Sequence, residues 1–168
     1  MPLESVKKPI LLVIDDDSII ADSLEYMLND DYHIERAVDR QTSFDLLNQI
    51  AQSPTLALVD LGLPPDIHTP DEGMAVIGQI SRLYPLTRIL VLSGQDSKQY
   101  KCQAMAAGAV DFIEKPCDIA QIKARLMKQL KISGNELGVR SQLIGIVGSS
   151  EPIELLRMQI IQLASSPY

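Results

Sequence analysis

Four runs along the chain are apolar at consecutive positions: Ile10-Leu11-Leu12-Val13-Ile14, Leu56-Ala57-Leu58-Val59, Ile89-Leu90-Val91-Leu92 and, with one aspartate, Ala109-Val110-Asp111-Phe112-Ile113. Each has the length of a strand and is bounded by Pro, Asp, Ser, Gly or Lys. Continuous rather than alternating apolarity belongs to parallel strands covered by helices on both faces. His33-Ile34-Glu35-Arg36-Ala37-Val38 alternates instead and predicts an edge strand. Between these runs the period changes to that of a helix. Ile20, Leu24, Met27 and Leu28 mark one apolar face, and Phe44, Leu47 and Ile50 mark the next, capped near Asp39. Met74, Ile77, Ile80 and Leu83 follow, with Asp71 as the expected cap and Pro85 as the stop. Tyr100, Ala104, Met105 and Ala107 end at Gly108, and Ile119, Ile122, Leu126 and Leu130 close the series.

Strand and helix therefore alternate five times, which predicts an α/β fold with a doubly wound, five-stranded parallel sheet. Right-handed crossovers leave few topologies, and the flavodoxin-like order 2-1-3-4-5 leads them. After about residue 132 the pattern breaks. Residues 1–8 are expected to be a tail, 9–132 the α/β domain, and 133–142 a linker or frayed helix end. Leu143-Ile144-Gly145-Ile146-Val147-Gly148 opens something new, with a helical stretch from Glu151 to Ala164, so a helical C-terminal extension is expected.

Composition narrows the function. Hydrophobic residues make up 46% of the 168, enough for a core. Fifteen basic against 22 acidic residues argue against direct grip on nucleic acid or an anionic membrane by this segment. Cys102 and Cys117 lack metal-site spacing and read as reduced thiols. The longest apolar run is five or six residues, far below the roughly 20 that span a bilayer. With no apolar leader after Met1, a cytoplasmic protein is expected.

Ligands of open α/β sheets bind beyond the carboxyl ends of the strands. Asp15, Asp16 and Asp17 follow the first strand, Asp60 ends the third, Ser93 and Gly94 end the fourth, and Lys115-Pro116 follows the fifth. Carboxylates, a hydroxyl and an ammonium are thus expected at one edge. Two unit charges about 4 Å apart repel by roughly 4 kcal/mol at an effective dielectric of 20. A divalent cation removes that cost, and oxygen ligands with room for waters suit Mg2+. One Asp is then left to attack, while Lys115 and Ser93 can hold the oxygens of an incoming phosphoryl group. Taken singly, each feature has a plainer meaning: an Asp run is often a helix cap, and Asp60 or Lys115-Pro116 a turn. Their joint placement favours a site.

The segments Leu12-Val13-Ile14-Asp15-Asp16-Asp17, Leu58-Val59-Asp60-Leu61-Gly62-Leu63-Pro64, Val91-Leu92-Ser93-Gly94 and Gly108 to Pro116 resemble the signatures of response-regulator receiver domains. The resemblance implies that Asp60 accepts a phosphoryl group from a histidine kinase. It implies Mg2+ bound directly by Asp16, through water by Asp15, and by Asp60 and the Gly62 carbonyl. It also implies that Ser93 and Lys115 contact the phosphoryl group, that Ser93 and Phe112 form the switch, and that the Lys115–Pro116 bond is cis. Such a domain catalyses only its own phosphorylation and dephosphorylation. Two departures stand out. The stretch from Asp60 to Gly73 is about five residues longer than the usual receiver loop, in a class where short loops dominate. Gly62 and Gln95 occupy the positions that tune hydrolysis, and Gly62 has no side chain to orient water, so a long-lived phospho-Asp60 is expected.

Residues 143–168 are similar to the opening of AAA+ modules in sigma-54-dependent activators, but no Gly-x-x-x-x-Gly-Lys-Ser/Thr follows. A longer transcriptional activator, with ATPase and DNA-binding parts beyond this segment, is the implied context, and a homodimer the implied assembly. The competing readings are a receiver-like interaction module that needs no phosphorylation and a flavodoxin-like nucleotide or flavin binder. The three aspartates after the first strand disfavour the latter. His33 and His68 are expected to be surface residues.

Overall fold

A computed structural model describes residues 7–94 and 98–145, with side chains described as far as residue 136. The elements run β1 (Ile10–Ile14), α1 (Ser18–Leu28), β2 (His33–Ala37), α2 (Arg40–Gln49), β3 (Leu56–Asp60), α3 (Asp71–Leu83), β4 (Arg88–Ser93), α4 (Lys98–Ala107), β5 (Ala109–Glu114) and α5 (Ile119–Gly145). All strand pairs are parallel and the sheet order is β2-β1-β3-β4-β5. The flavodoxin-like order expected from the alternation is the one found. The chain divides into two compact units, Met1–Leu130 and Lys131–Tyr168.

Strand periodicity sorts the core of the first unit into two layers. Leu12, Ile14, Ala57, Val59, Ile89 and Val91 point to one face, where Leu47, Val76, Ile77, Ile80 and Ala104 of α2, α3 and α4 cover them. Leu11, Val13, Leu56, Leu58, Leu90 and Leu92 point to the other, under Ala21, Leu24 and Leu28 of α1 and Ile122 and Leu126 of α5. Neighbouring positions face opposite ways, so a strand buried on both sides must be apolar throughout. β2 pairs on one side only, and its partly exposed pattern matches its place at the edge. Ala109 and Phe112 share a face although three residues apart, which strict alternation forbids. A bulge resolves this: Ile89 pairs with Ala109, but Leu90 pairs with Asp111.

Helix ends follow local chemistry. Asp39 caps α2 by a capping box, accepting from the Thr42 N–H at 2.7 Å, while Thr42 Oγ1 accepts from the Asp39 N–H at 3.2 Å. Gly108, at φ 122, ends α4. One expectation needs correction. Asp71 does not cap α3; Pro70 holds that position without a side-chain bond, and Asp71 and Glu72 lie in the first turn, where negative charge suits the helix dipole. Residues 133–142, expected to be a linker or a frayed helix end, are helical as the last part of α5. They contain no proline, and Gly134 and Gly138 each weaken a helix by only about 1 kcal/mol relative to Ala. Leu143-Ile144-Gly145 are the last residues of α5, and the continuation expected to resemble an AAA+ opening, 146–168, lies outside the described residues.

Candidate functional site

The register brings the expected residues to one edge. Ile14 pairs with Val59, Asp60 with Leu92, and Ser93 with Glu114, so Asp15, Asp60, Ser93 and Lys115 come at or just beyond the carboxyl ends of four adjacent strands. Two backbone bonds extend the ladder into the loops: the Asp15 N–H donates to the Ala37 carbonyl at 3.1 Å, and the Lys115 N–H to the Ser93 carbonyl at 2.8 Å. Asp15, Asp60 and Ser93 are buried, and Asp16 is exposed.

The aspartates of the first loop divide their work. Asp17 is the cap of α1, its Oδ1 accepting from the Ile19 N–H at 2.9 Å. Asp15 turns inward, and its Oδ1 accepts from the Asp17 N–H at 2.9 Å. Asp15, Asp16 and Asp60 each offer a carboxylate oxygen, and these atoms lie within 4.8 Å of one another. Among the described residues this is the one acidic group so arranged. A hard, oxygen-seeking cation fits such a donor set, with Asp16 leaving an open, hydrated side.

Lys115 supplies the countercharge. Its Nζ lies 3.0 Å from Asp60 Oδ2 and 3.4 Å from Asp15 Oδ2. Burial pulls the Lys115 ammonium toward deprotonation, but the Asp60 and Asp15 carboxylates outweigh it and hold its pKa above the ordinary lysine value. Asp15 moves the same way for a different reason. Burial is the largest influence and raises its pKa, with the Asp17 amide and Lys115 opposing and Asp60 adding to the rise. An added cation would relieve that penalty. The Lys115–Pro116 peptide is cis, as expected, and so is Pro64–Pro65.

Phe112 is buried in the layer that contains Ala104, and Tyr100 packs against that layer. Gly62 follows Asp60 closely enough for its N–H to donate to Asp60 Oδ1 at 3.1 Å. Gln95 lies outside the described residues. His33 is exposed and pairs with Glu35, apart from the carboxylates; the His68 N–H bonds to Asp66 Oδ1 in the long loop. One contribution was invisible in the sequence. An atom added as Cβ on Gly62 would meet the Ile67 carbonyl oxygen at 2.8 Å, so the long loop folds back beside the site through its backbone. A main-chain group carries no residue-type signal; only the paired facts of a glycine and a long loop hinted at it.

Comparison with known proteins agrees with this geometry. The family model described as response regulator receiver domain matches residues 11–127, well over half the chain. The virulence transcriptional regulatory protein PhoP of Salmonella typhi is 28% identical over 151 residues, covering 89% of this chain and 62% of the relative. The transcriptional regulatory protein PhoP of Escherichia coli (strain K12) is 29% identical over 137 residues, covering 81% and 57%. The chain thus spans about three fifths of the length of these relatives. A CheY-like receiver domain protein from Methanospirillum hungatei JF-1 superposes with a TM-score of 0.69 at 24% identity, over 77% of this chain and 99% of that one. NtrX from Brucella abortus, solved in complex with ADP, gives 0.67 at 26% identity, over 91% of this chain and 33% of that one. A response regulator from Burkholderia pseudomallei, with a phosphorylated aspartic acid, a calcium ion and citrate, gives 0.62 at 26% identity, over 95% and 88%.

Proposed function

The chain belongs to the response regulator receiver domain family, and from that premise we propose that it accepts a phosphoryl group on Asp60 from a histidine kinase and so switches a downstream transcriptional output. The observation that carries the proposal is the joint placement of Lys115 Nζ, 3.0 Å from Asp60 Oδ2, and of three carboxylates whose oxygens lie within 4.8 Å of one another. In this reading Asp15, Asp16, Asp60 and the Gly62 carbonyl hold Mg2+, which supplies neutralising charge to the phosphoryl oxygens when bound.

An oxygen of the Asp60 carboxylate attacks phosphorus while the bond from phosphorus to the donor breaks, and the electron pair leaves with the donor atom. The Lys115 ammonium, already paired with Asp60, is placed to follow the charge onto the phosphoryl oxygens. Ser93 contributes its hydroxyl to the same oxygens. Its shift toward them gives Phe112 room to turn, which alters the face built from α4, β5 and α5.

For the whole protein the reading is a cytoplasmic, dimeric transcriptional regulator, with this segment acting on a partner domain rather than on DNA. The relatives named above are transcriptional regulators. This reading puts an AAA+ module and a DNA-binding part beyond the receiver, as the resemblance of residues 143–168 implies; NtrX, matched over 91% of this chain and 33% of its own, was solved in complex with ADP.

The test is intact mass after incubation with acetyl phosphate, with Mg2+ or with excess chelator, for the wild type and Asp60→Ala. A single phosphoryl adduct that needs Mg2+ and vanishes in Asp60→Ala is the expected result. No adduct, while a control receiver labels, would favour a module that works without phosphorylation.

A further inference from the structure

The stretch between Asp60 and α3 is tied to the site at both ends. At its start, the Gly62 N–H donates to Asp60 Oδ1 at 3.1 Å. A Cβ on Gly62 would lie 3.9 Å from that same oxygen and 2.8 Å from the carbonyl oxygen of Ile67. The space that a side chain at position 62 would enter, close to the acceptor carboxylate, is therefore occupied by the main chain of the loop. At its far end, a Cβ on Gly73 would come within 2.5 Å of Leu61 Cα and 2.6 Å of the Asp60 carbonyl oxygen. Only a glycine lets α3 begin so close to the backbone that carries the acceptor.

Between these ties the loop holds its own shape. Asp66 Oδ1 accepts from the His68 N–H at 3.1 Å, and the Asp66 carbonyl accepts from the Thr69 N–H at 3.3 Å. This Asx-type turn fixes the chain around Ile67. Leu63, next to Gly62, is fully buried and anchors the loop. The Asp60 side chain is only 9% exposed.

We propose that the loop from Leu63 to Pro70 sets the lifetime of phospho-Asp60, with the Ile67 main chain replacing a side chain at position 62 as the wall that water must pass, and Asp66 as the positioning residue that holds it. The inference rests on Asp60 being the phospho-acceptor and deepens that reading. In the reaction concerned, a water oxygen bonds to phosphorus as the bond from phosphorus to the Asp60 oxygen breaks. The electron pair returns to the carboxylate, and the water's protons pass to phosphate and solvent. The Ile67 main chain restricts the approach of such a water on that flank.

The experiment phosphorylates the chain with acetyl phosphate and Mg2+, removes the donor, and follows loss of the adduct by intact mass. Asp66→Ala, which loosens the turn, and Gly62→Ala, whose new methyl displaces Ile67, should each shorten the half-life by at least about threefold, a change equivalent to a fraction of the energy of one hydrogen bond. Asp66→Asn keeps the Asx acceptor and should stay near wild type. In a chain with residues 66–69 deleted, Gly62→Ala should have little further effect. Unchanged half-lives in both Asp66→Ala and Gly62→Ala would overturn the proposal. So would an Asp66→Asn as fast as Asp66→Ala, or a Gly62→Ala effect undiminished by the deletion. A wild type that takes no phosphoryl group on Asp60 would instead remove the phospho-acceptor reading, and this inference with it.

Discussion

At the scale of the residue, a carboxylate's role here is set by what its oxygens meet. All four of Asp15, Asp17, Asp39 and Asp60 accept from a backbone amide, but Asp17 and Asp39 do so at helix starts and cap them, whereas Asp15 and Asp60 also meet Lys115. Asp39 offers a clean test away from the site. The Thr42 amide, and then the Thr42 hydroxyl, hold its pKa below the ordinary 3.8. Removing the cap by Asp39→Ala should cost about 1 kcal/mol at neutral pH, read by urea unfolding. A depressed pKa stabilises above the unfolded value, and that contribution is lost as pH falls through the folded value. The gap between wild type and Asp39→Ala should therefore hold at pH 7 and narrow below about pH 3.8. A gap that widens on acidification would show that the carboxylate is not the cap.

At the scale of the element, what governs an end is often contact with another element. Gly108 ends α4 with φ 122, and a Cβ there would also run into Ser81, whose Oγ donates to the Ala107 carbonyl at 3.0 Å. Gly108→Ala should lower unfolding free energy by about 2 kcal/mol from backbone strain and the lost fit. A double-mutant cycle with Ser81→Ala, which removes the hydroxyl in the way, should recover the part due to that contact, read by equilibrium unfolding. Gly108 was legible as a stop because its conformational role is local. The five strands were legible because burial on both faces leaves nothing but apolar residues, and Asp39 because a cap lies beside its helix. The start of α3 was not legible. Asp71 is a good cap by type, but Gly73 fixes the helix against Leu61 at a distance no local rule contains. For α5 the sequence left a linker and a helix end both open, because Gly134 and Gly138 resemble a boundary, and two glycines without a proline do not stop the helix.

At the scale of the molecule, the parallel sheet makes the site. Side chains from β1, β3, β4 and β5 are far apart in sequence, and Lys115 bonds to Asp15 across 100 positions. Once the strand order is known, the residues after each strand must meet, which is why Asp15, Asp60, Ser93 and Lys115 could be named beforehand. The close approach of the Ile67 main chain to Gly62 could not, since it is main chain. Among the described residues no helix is long and apolar enough to cross a membrane, and the chain spans about three fifths of its curated relatives. The proposed function turns on one covalent event, the phosphorylation of Asp60. Reduction of the freshly phosphorylated chain with borohydride converts an acyl phosphate on aspartate to homoserine, which peptide mass mapping then locates. The account predicts homoserine at position 60 alone, absent without Mg2+. Homoserine at position 15 or 16, or at none while a control receiver is trapped, would contradict it.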